Sequence, residues 1–327
     1  MSGGINTWCN ARLTPEAKAM LRAGVENHRL SFADESHPEA RHSLVAVLAP
    51  PPEDAVVAFG QPSPDDVLRG AQLRWVHLSS AGYTSFDRAD ILDALRARGC
   101  ALTTSSDVYA EPCALHLLAM MTSLARRLPA AHDNQKGAQG WPFHAARAAS
   151  SLLEGQHVLL LGFGSIARRF AELIAPLRMN VVAVRRQVRG DEPIQTYPES
   201  EVARLLPAAD HVVNILPASA ATERFLNAGR LALVKRGAIL YNIGRGTTLD
   251  QTALVAALTS GRLAAAFLDV TDPEPLPPGD ALWTAPNCHI TPHTAGGHRG
   301  EAERLAGHFL ANFRRFARGE TLLNRIV

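Results

Sequence analysis

Three histidines lie close together near the C-terminus, in the stretch HITPHTAGGH at 289–298. His289 and His293 stand four residues apart, the spacing with which a helix aims two imidazoles at one zinc ion. Pro292 argues against such a helix, because proline removes a helical hydrogen bond and favours an extended conformation at Thr291. The sequence therefore predicts no metal site here, and it leaves the role of the histidines open.

Two other segments place charged side chains just beyond predicted strands. Arg245 follows the predicted strand 238–243, and open α/β sheets bind ligands at the carboxyl ends of their strands. A guanidinium fixed there can hold a carboxylate or polarise a carbonyl; an arginine that supports a turn is the alternative. Asp269 ends a strand, and Glu274 lies in a proline-rich turn, where an acidic residue is usually only solvated. Glu274 gains significance if it hydrogen-bonds an imidazole, because a carboxylate orients the ring and stabilises its protonated form.

The strongest local signal is a glycine-rich loop in VLLLGFGSIARRFAELI, between an apolar strand and an amphipathic helix. The first glycine permits a tight turn, the second lets backbone N–H groups approach a pyrophosphate, and small Ala167 permits close packing of helix and strand. A plain tight turn is the alternative, but the strand before and the helix after favour dinucleotide binding. The candidate cofactor residues in this loop are Gly162, Phe163, Gly164, Ser165 and Ile166.

Two arginines stand about twenty residues further on, where an NAD site usually carries an acidic residue for the adenosine ribose. The strand NVVAV ends in Arg185 and Arg186. Arginine can pair with a 2′-phosphate, so the sequence predicts that NADP(H) is preferred and that NAD(H) is possible. The alternative is that both arginines lie on a solvated loop and do not discriminate between the cofactors.

Short apolar runs alternate with helical patterns along the chain, which predicts parallel sheets covered on both faces. The fold class we predict is α/β, with two Rossmann-like doubly wound parallel-sheet domains and a cleft between them. The polar stretch 128–143 is interpreted as a linker. Helices are predicted near 14–23, 63–70, 86–97 and 106–128, and strands at 44–49, 55–60, 73–79, 99–104, 157–162, 180–185, 211–216, 238–243, 264–270 and 288–291.

Composition narrows the class of partner. The 327 residues carry a net charge of +2 without a Lys/Arg run, a field too weak to indicate nucleic acid or an anionic membrane. Four scattered cysteines fit a reducing compartment, and we interpret all four as thiols. The start MSGGINTWCN lacks the regions of a signal peptide, and the apolar stretch 113–128 is interpreted as too short to span a membrane. We expect a cytoplasmic protein that binds a small molecule.

The sequence across 155–297 closely resembles the D-isomer-specific 2-hydroxyacid dehydrogenases, among them the glyoxylate/hydroxypyruvate reductases. The motifs that carry the resemblance are YNIGRGTTLD, LDVTDPEPL and HITPHTAGG, and it extends more weakly to LRWVHLSSAGYTSFD and NFRRFARGETLLNRIV. It implies a discontinuous substrate-binding domain, 1–103 and 298–327, and a dinucleotide-binding domain, 104–297. It also implies a homodimer formed through the dinucleotide-binding domain.

The resemblance also assigns roles to particular residues. Arg245, Glu274 and His293 match the catalytic arginine, glutamate and histidine, so that His293 is the acid/base and needs no metal. Asp269 matches the position that binds the nicotinamide carboxamide. His289 is then structural, and His298 marks the crossing back to the substrate domain. Further expected cofactor contacts are Leu216, Pro217, Thr222, Ile243, Gly244, Arg245 and His293. The expected substrate contacts are Ser80, Ala81, Gly82, Arg245 and His293, with a plain turn as the alternative for the first three.

The implied reaction is reversible reduction of a small 2-oxo acid, with glyoxylate or hydroxypyruvate the best substrates to expect with NADPH. Two departures from the family pattern are Leu115, in place of the glutamate of a common A-E-H motif, and Arg185, in place of a frequent aspartate. Trp141 matches a common family tryptophan that we interpret as packing; the alternative is that it reaches a neighbouring active site. Two alternatives stay open: oxidation of phosphoglycerate or an inorganic oxyanion on the same scaffold, and a dinucleotide-sensing corepressor.

Overall fold

A computed structural model describes residues 4–33, 41–42 and 46–327. They form two compact units, the first comprising the described residues through Tyr109 together with Gly297–Val327, and the second comprising Ala110–Gly296. The boundaries expected from the sequence followed residues 103 and 297. The later division at Tyr109 has a physical reason, because Val108 and Tyr109 pack in the core of the first unit.

The first unit contains a five-stranded parallel sheet and a two-stranded antiparallel ribbon. Its strands are β1 Asn6–Cys9, β2 Arg29–Phe32, β3 Arg41–His42, β4 Val47–Leu48, β5 Val57–Gly60, β6 Trp75–Leu78 and β7 Ala101–Thr103. Its helices are α1 Pro15–Gly24, α2 Pro64–Arg69 and α3 Ala89–Ala97, and it is completed by the last helix, Glu301–Ala317. The sheet order is β2-β1-β5-β6-β7.

The second unit is built on a seven-stranded parallel sheet. A helix that begins in the first unit leads into it, α4 Ser106–Ala125. The helices that follow are α5 Leu128–Lys136, α6 Phe143–Ala149, α7 Ser165–Ile174, α8 Val202–Leu205, α9 Ala228–Leu233 and α10 Gln251–Thr259, which makes the last helix of the chain α11. The strands are β8 His157–Leu161, β9 Asn180–Arg185, β10 Gln195–Pro198, β11 His211–Asn214, β12 Ala238–Asn242, β13 Leu263–Leu268 and β14 Cys288–Ile290, in the sheet order β10-β9-β8-β11-β12-β13-β14.

Burial explains why these runs form sheets. In the first unit, Cys9 and Trp75 face one hydrophobic cluster while their neighbours Trp8 and Val76 face another, so helices cover both faces of the sheet. The ring of Phe309 on α11 stacks on Trp75, with the ring centroids 5.2 Å apart. The predicted fold class, two Rossmann-like doubly wound parallel sheets, is confirmed.

The structure corrects several element predictions. The predicted linker 128–143 contains α5 and the start of α6, because Pro129 suits the first turn of a helix and α5 continues to Lys136. Four strands were missed, namely β1, β2, β3 and β10. None of them is longer than four residues, and β2 and β10 are edge strands with weak apolar patterns, β10 ending in Pro198. The predicted strand 44–49 lies partly outside the described residues.

The interpretation of the apolar stretch 113–128 also needs correction. It belongs mostly to α4, which has 20 residues and is long and apolar enough to cross a membrane by length and composition alone. One side of α4 is buried within the protein through Ala114, Leu117 and Met121. Core helices of globular proteins pass the same test of length and composition, so the test does not assign α4 to a membrane. The four cysteines are free thiols.

Candidate active site

Most of the residues singled out in the second unit meet at one edge of its sheet. The strands β8, β9, β11, β12, β13 and β14 are parallel, so their carboxyl ends lie on the same side. The chain turns outward from β8 to β9 and then returns to the other side of β8 with β11, so the strand order reverses between β8 and β11. Ligands of open α/β sheets bind at such a reversal.

The glycine-rich loop lies at this reversal. Gly162 follows β8 with φ of +95°, a conformation that glycine adopts readily, and an added Cβ would lie 3.3 Å from the carbonyl oxygen of Ile215. Gly164 caps the N-terminus of α7, and an added Cβ there meets no atom within 4 Å. The open space at Gly164 and the N–H groups at the start of α7 fit a dinucleotide pyrophosphate.

Helix α7 is held against the sheet by its apolar stripe. Ala167, Phe170, Ala171 and Ile174 recur with helical spacing and are buried. The small side chain of Ala167 therefore serves the packing role predicted for it. Across the reversal, Thr222 stabilises the loop after β11, because its hydroxyl donates to the carbonyl oxygen of Pro217 at 2.6 Å and accepts from the N–H of Ser219 at 2.9 Å.

His293 and Glu274 form a hydrogen-bonded pair. The His293 Nδ1 atom lies 2.8 Å from the Glu274 Oε2 atom, and Glu274 Oε1 accepts from the N–H of Thr271 at 3.0 Å. The proline-rich turn thus orients the carboxylate, which in turn orients the ring. His293 has φ of +52°, which is uncommon for a residue with a side chain. Its N–H donates to the carbonyl oxygen of Asp269 at 2.8 Å, which holds it beside the end of β13.

Asp269 anchors the turn that carries His293. Its buried carboxylate accepts from the N–H groups of Thr294 and Ala295, at 2.8 and 2.9 Å, and from the Thr291 hydroxyl at 2.5 Å. His116 on α4 lies near the same carboxylate, with 3.9 Å between Nε2 and Oδ1. Burial lowers the pKa of His116, and the charge of Asp269 opposes that effect. This anchoring was not predicted, because it joins Asp269 to residues 25 and 26 positions further along the chain.

Arg245 is positioned by a buried polar network. The Asn242 amide and the Thr248 hydroxyl both donate to the Arg245 carbonyl oxygen, at 3.1 and 2.6 Å, and the Asn214 amide donates to Asn242 and Thr248. Burial lowers the pKa of the Arg245 guanidinium, and the negative charge of Glu274 opposes the shift. An added Cβ at Gly246 would lie 1.9 Å from the carbonyl oxygen of Thr271, so only glycine fits after Arg245.

Sequence reasoning missed Asn214 and Asn242. Each is a polar residue at the end of an apolar strand, and each is fully buried. That pattern was a usable signal, because a buried amide requires hydrogen-bond partners. The other two histidines of the opening stretch have other surroundings: His289 is in β14, where burial lowers its pKa, and His298 Nδ1 contacts the carbonyl oxygen of Arg299. Among the described residues, no group of three or more potential ligands is arranged for a metal ion.

The predicted substrate loop belongs to the first unit, after β6. Its carbonyl oxygens are engaged within that unit: Tyr109 donates its hydroxyl to Ser79 at 2.9 Å, and the Ser80 oxygen accepts from the N–H of Ser105 at 2.9 Å. The Ser80 hydroxyl donates to Gly82 at 2.6 Å. These contacts give residues 79–82 a defined conformation.

Comparison with known proteins decides the family. Residues 118–295 match the family described as "D-isomer specific 2-hydroxyacid dehydrogenase, NAD binding domain". A glyoxylate reductase of Thermococcus kodakarensis is 30% identical over 326 residues, which covers 95% of each chain. The chain belongs to the D-isomer specific 2-hydroxyacid dehydrogenase family. As a family member it is an NAD(P)-dependent oxidoreductase that acts on the CH–OH group of donors, and it binds a nicotinamide dinucleotide.

Two other relatives of this dehydrogenase carry useful information. Glyoxylate/hydroxypyruvate reductase B of Citrobacter koseri is 32% identical over 227 residues, 68% of each chain. The crystal structure of a D-isomer specific 2-hydroxyacid dehydrogenase from Xanthobacter autotrophicus Py2, in complex with NADPH and MES, superposes with a TM-score of 0.83. That match has 26% sequence identity and covers 99% of this chain and 98% of the other.

Proposed function

We propose that this dehydrogenase reduces a small 2-oxo acid with NADPH, and that glyoxylate or hydroxypyruvate is its substrate. The observation that carries the proposal is the 2.8 Å hydrogen bond between His293 and Glu274. This pair lies at the same edge of the sheet as Arg245 and the glycine-rich loop. The two relatives named as glyoxylate and glyoxylate/hydroxypyruvate reductases, at 30% and 32% identity, support the choice of substrate.

The candidate site residues have separate tasks in this proposed mechanism. Residues 162–166 would hold a nicotinamide dinucleotide, which would supply the hydride in the reductive direction. Glu274 accepts the hydrogen bond from Nδ1 of His293, which leaves Nε2 as the ring nitrogen that gives a proton to the nascent alkoxide. The half-buried guanidinium of Arg245 binds the substrate carboxylate and polarises the carbonyl. The backbone N–H groups of Ser80, Ala81 and Gly82 are proposed as further carboxylate ligands.

The remaining cofactor contacts follow from positions at the same edge. Leu216, Pro217 and Thr222 come after β11, and Ile243 and Gly244 after β12; we propose that these residues line the dinucleotide site. Asp269 is proposed to contact the nicotinamide carboxamide. The preference for NADPH rests on the cationic end of β9 at Arg185 and Arg186, and the NADPH complex of the Xanthobacter relative supports it.

A panel of substrates tests the proposal. We expect oxidation of NADPH with glyoxylate or hydroxypyruvate, and slower turnover with NADH. The same panel run in reverse with D-glycerate and 3-phosphoglycerate covers the alternative of phosphoglycerate oxidation. An enzyme that binds NADPH but turns over no 2-oxo acid would contradict the proposal and favour a sensor.

We also propose that the chain forms a homodimer and acts in the cytoplasm. The region from Arg126 to Ala149, which contains α5 and α6, is almost wholly exposed although it carries large apolar side chains. Trp141, which the sequence suggested was a packing residue, is instead 91% exposed within this chain, and Leu128 and Phe143 are more than half exposed. A second copy that covers this region would remove these side chains from water. Light scattering should give a dimer for the wild type and a weaker one for Trp141→Ala; a wild-type monomer would contradict the proposal.

A further inference from the structure

The loop that joins β9 to β10 contains a buried carboxylate. Glu192 Oε1 accepts from the Nη1 atom of Arg185 at 2.8 Å and from the N–H of Arg189 at 2.9 Å, and its Oε2 accepts from the N–H of Gly190 at 2.9 Å. The side chain of Glu192 is only 3% exposed and that of Arg185 only 19%. The carboxylate therefore fixes the shape of the loop from inside it.

These contacts separate the arginines of the loop into two kinds. Arg185 is committed to Glu192, so its positive charge is already paired. Arg186 and Arg189 are exposed, and neither takes part in an ion pair within the part of the chain that the structure describes. A phosphate dianion at the carboxyl end of β9 would find an unpaired guanidinium in Arg186 and Arg189 but not in Arg185.

We propose that Glu192 is a positioning residue of the site for the adenosine 2′-phosphate: it occupies Arg185 and folds residues 186–191, so that Arg186 binds the phosphate with help from Arg189. This inference rests on the proposed use of NADPH and changes its residue assignment, because Arg185 then supports the loop and does not touch the phosphate. Hydrogen bonds from Arg189, Gly190 and Arg185 lower the pKa of Glu192 to about 2, so the carboxylate stays charged near neutral pH.

Binding of adenosine 2′,5′-bisphosphate and of 5′-AMP to the full chain, measured by calorimetry, isolates the 2′-phosphate from catalysis. We expect Arg186→Gln to weaken binding of the bisphosphate about tenfold or more and to leave AMP unchanged, because it removes a charged hydrogen bond made to that phosphate alone. Arg185→Gln and Glu192→Gln should each weaken binding of the bisphosphate by about threefold. The double variant should bind it as well as either single variant does, since both substitutions break the same ion pair.

A matched control is Arg236→Gln, an exposed arginine before β12 and hence at the opposite edge of the sheet; it should change neither affinity. Unchanged AMP binding shows that a variant is folded. Two results would overturn the inference: a loss for Arg185→Gln as large as that for Arg186→Gln, or additive losses for Arg185→Gln and Glu192→Gln. Equal wild-type affinity for the two nucleotides would overturn both the inference and the NADPH preference. Lack of turnover with 2-oxo acids would refute the proposed reaction but leave this binding test intact.

Discussion

Replacing Asp269 with asparagine tests whether this carboxylate anchors the catalytic turn. The two carboxylate oxygens accept three hydrogen bonds, from the N–H groups of Thr294 and Ala295 and from the Thr291 hydroxyl. Asparagine offers one acceptor oxygen, and its NH₂ group must face at least one of these donors. One charged hydrogen bond is worth roughly 1.5–3 kcal/mol, and an unsatisfied buried donor costs about 1–3 kcal/mol. Because these two penalties partly overlap, we expect Asp269→Asn to lower the free energy of unfolding by about 2–4 kcal/mol.

Thermal unfolding measures this loss directly. For a domain of this size, 1 kcal/mol lowers Tm by about 2–4 °C, so Asp269→Asn should lower the Tm of the cofactor-free protein by at least about 4 °C. The amide hydrogens of Thr294 and Ala295 should also exchange faster. Because this turn carries His293, kcat should fall about 10–1,000-fold. An unchanged Tm together with unchanged amide exchange would refute the anchoring argument and leave Asp269 with a cofactor contact alone.

The remaining predictions concern the histidine pair and a buried histidine. His293→Ala should lower kcat about 10²–10⁴-fold with cofactor affinity retained, whereas the exposed His144→Ala should not; a loss below tenfold would contradict the assignment. Glu274→Gln should lower kcat by less than His293→Ala, because the ring stays but loses its charged partner, and an unchanged kcat would remove Glu274 from the mechanism. Burial lowers the pKa of His211 from 6.5 to about 4. The folded state therefore favours the neutral form of His211. Its contribution to the free energy of unfolding is complete above pH 6.5, and the free energy of unfolding falls by up to about 3 kcal/mol as the pH drops towards 4. Urea unfolding of His211→Gln should show a smaller loss of stability than the wild type over that pH range. An equal loss in both proteins would mean that His211 does not cause the pH dependence.

The core of the second unit was predictable because its strands are buried on both faces. Such strands appear in the sequence as short apolar runs, and the runs at 157–162, 180–185 and 238–243 match β8, β9 and β12 within a residue. In a parallel sheet the carboxyl ends of those runs must lie at one edge, so the sequence alone could place the glycine-rich loop and Arg245 near each other. The edge strands β2 and β10 could not be predicted in this way, because they bury only part of their side chains and therefore lack a continuous apolar run.

The interactions that refine the site were not predictable, because each depends on how a turn folds back. Nothing in the sequence indicates that Asp269 captures the N–H groups of Thr294 and Ala295, since that requires the left-handed conformation of His293. Arg185 shows the consequence for function. Its position at the end of β9 identifies a cation near the adenosine ribose, but whether that cation is available depends on Glu192, seven residues further on in a loop without regular structure. A strand-end residue type can therefore predict the charge at a cofactor site, whereas the loop that follows determines which residue presents it.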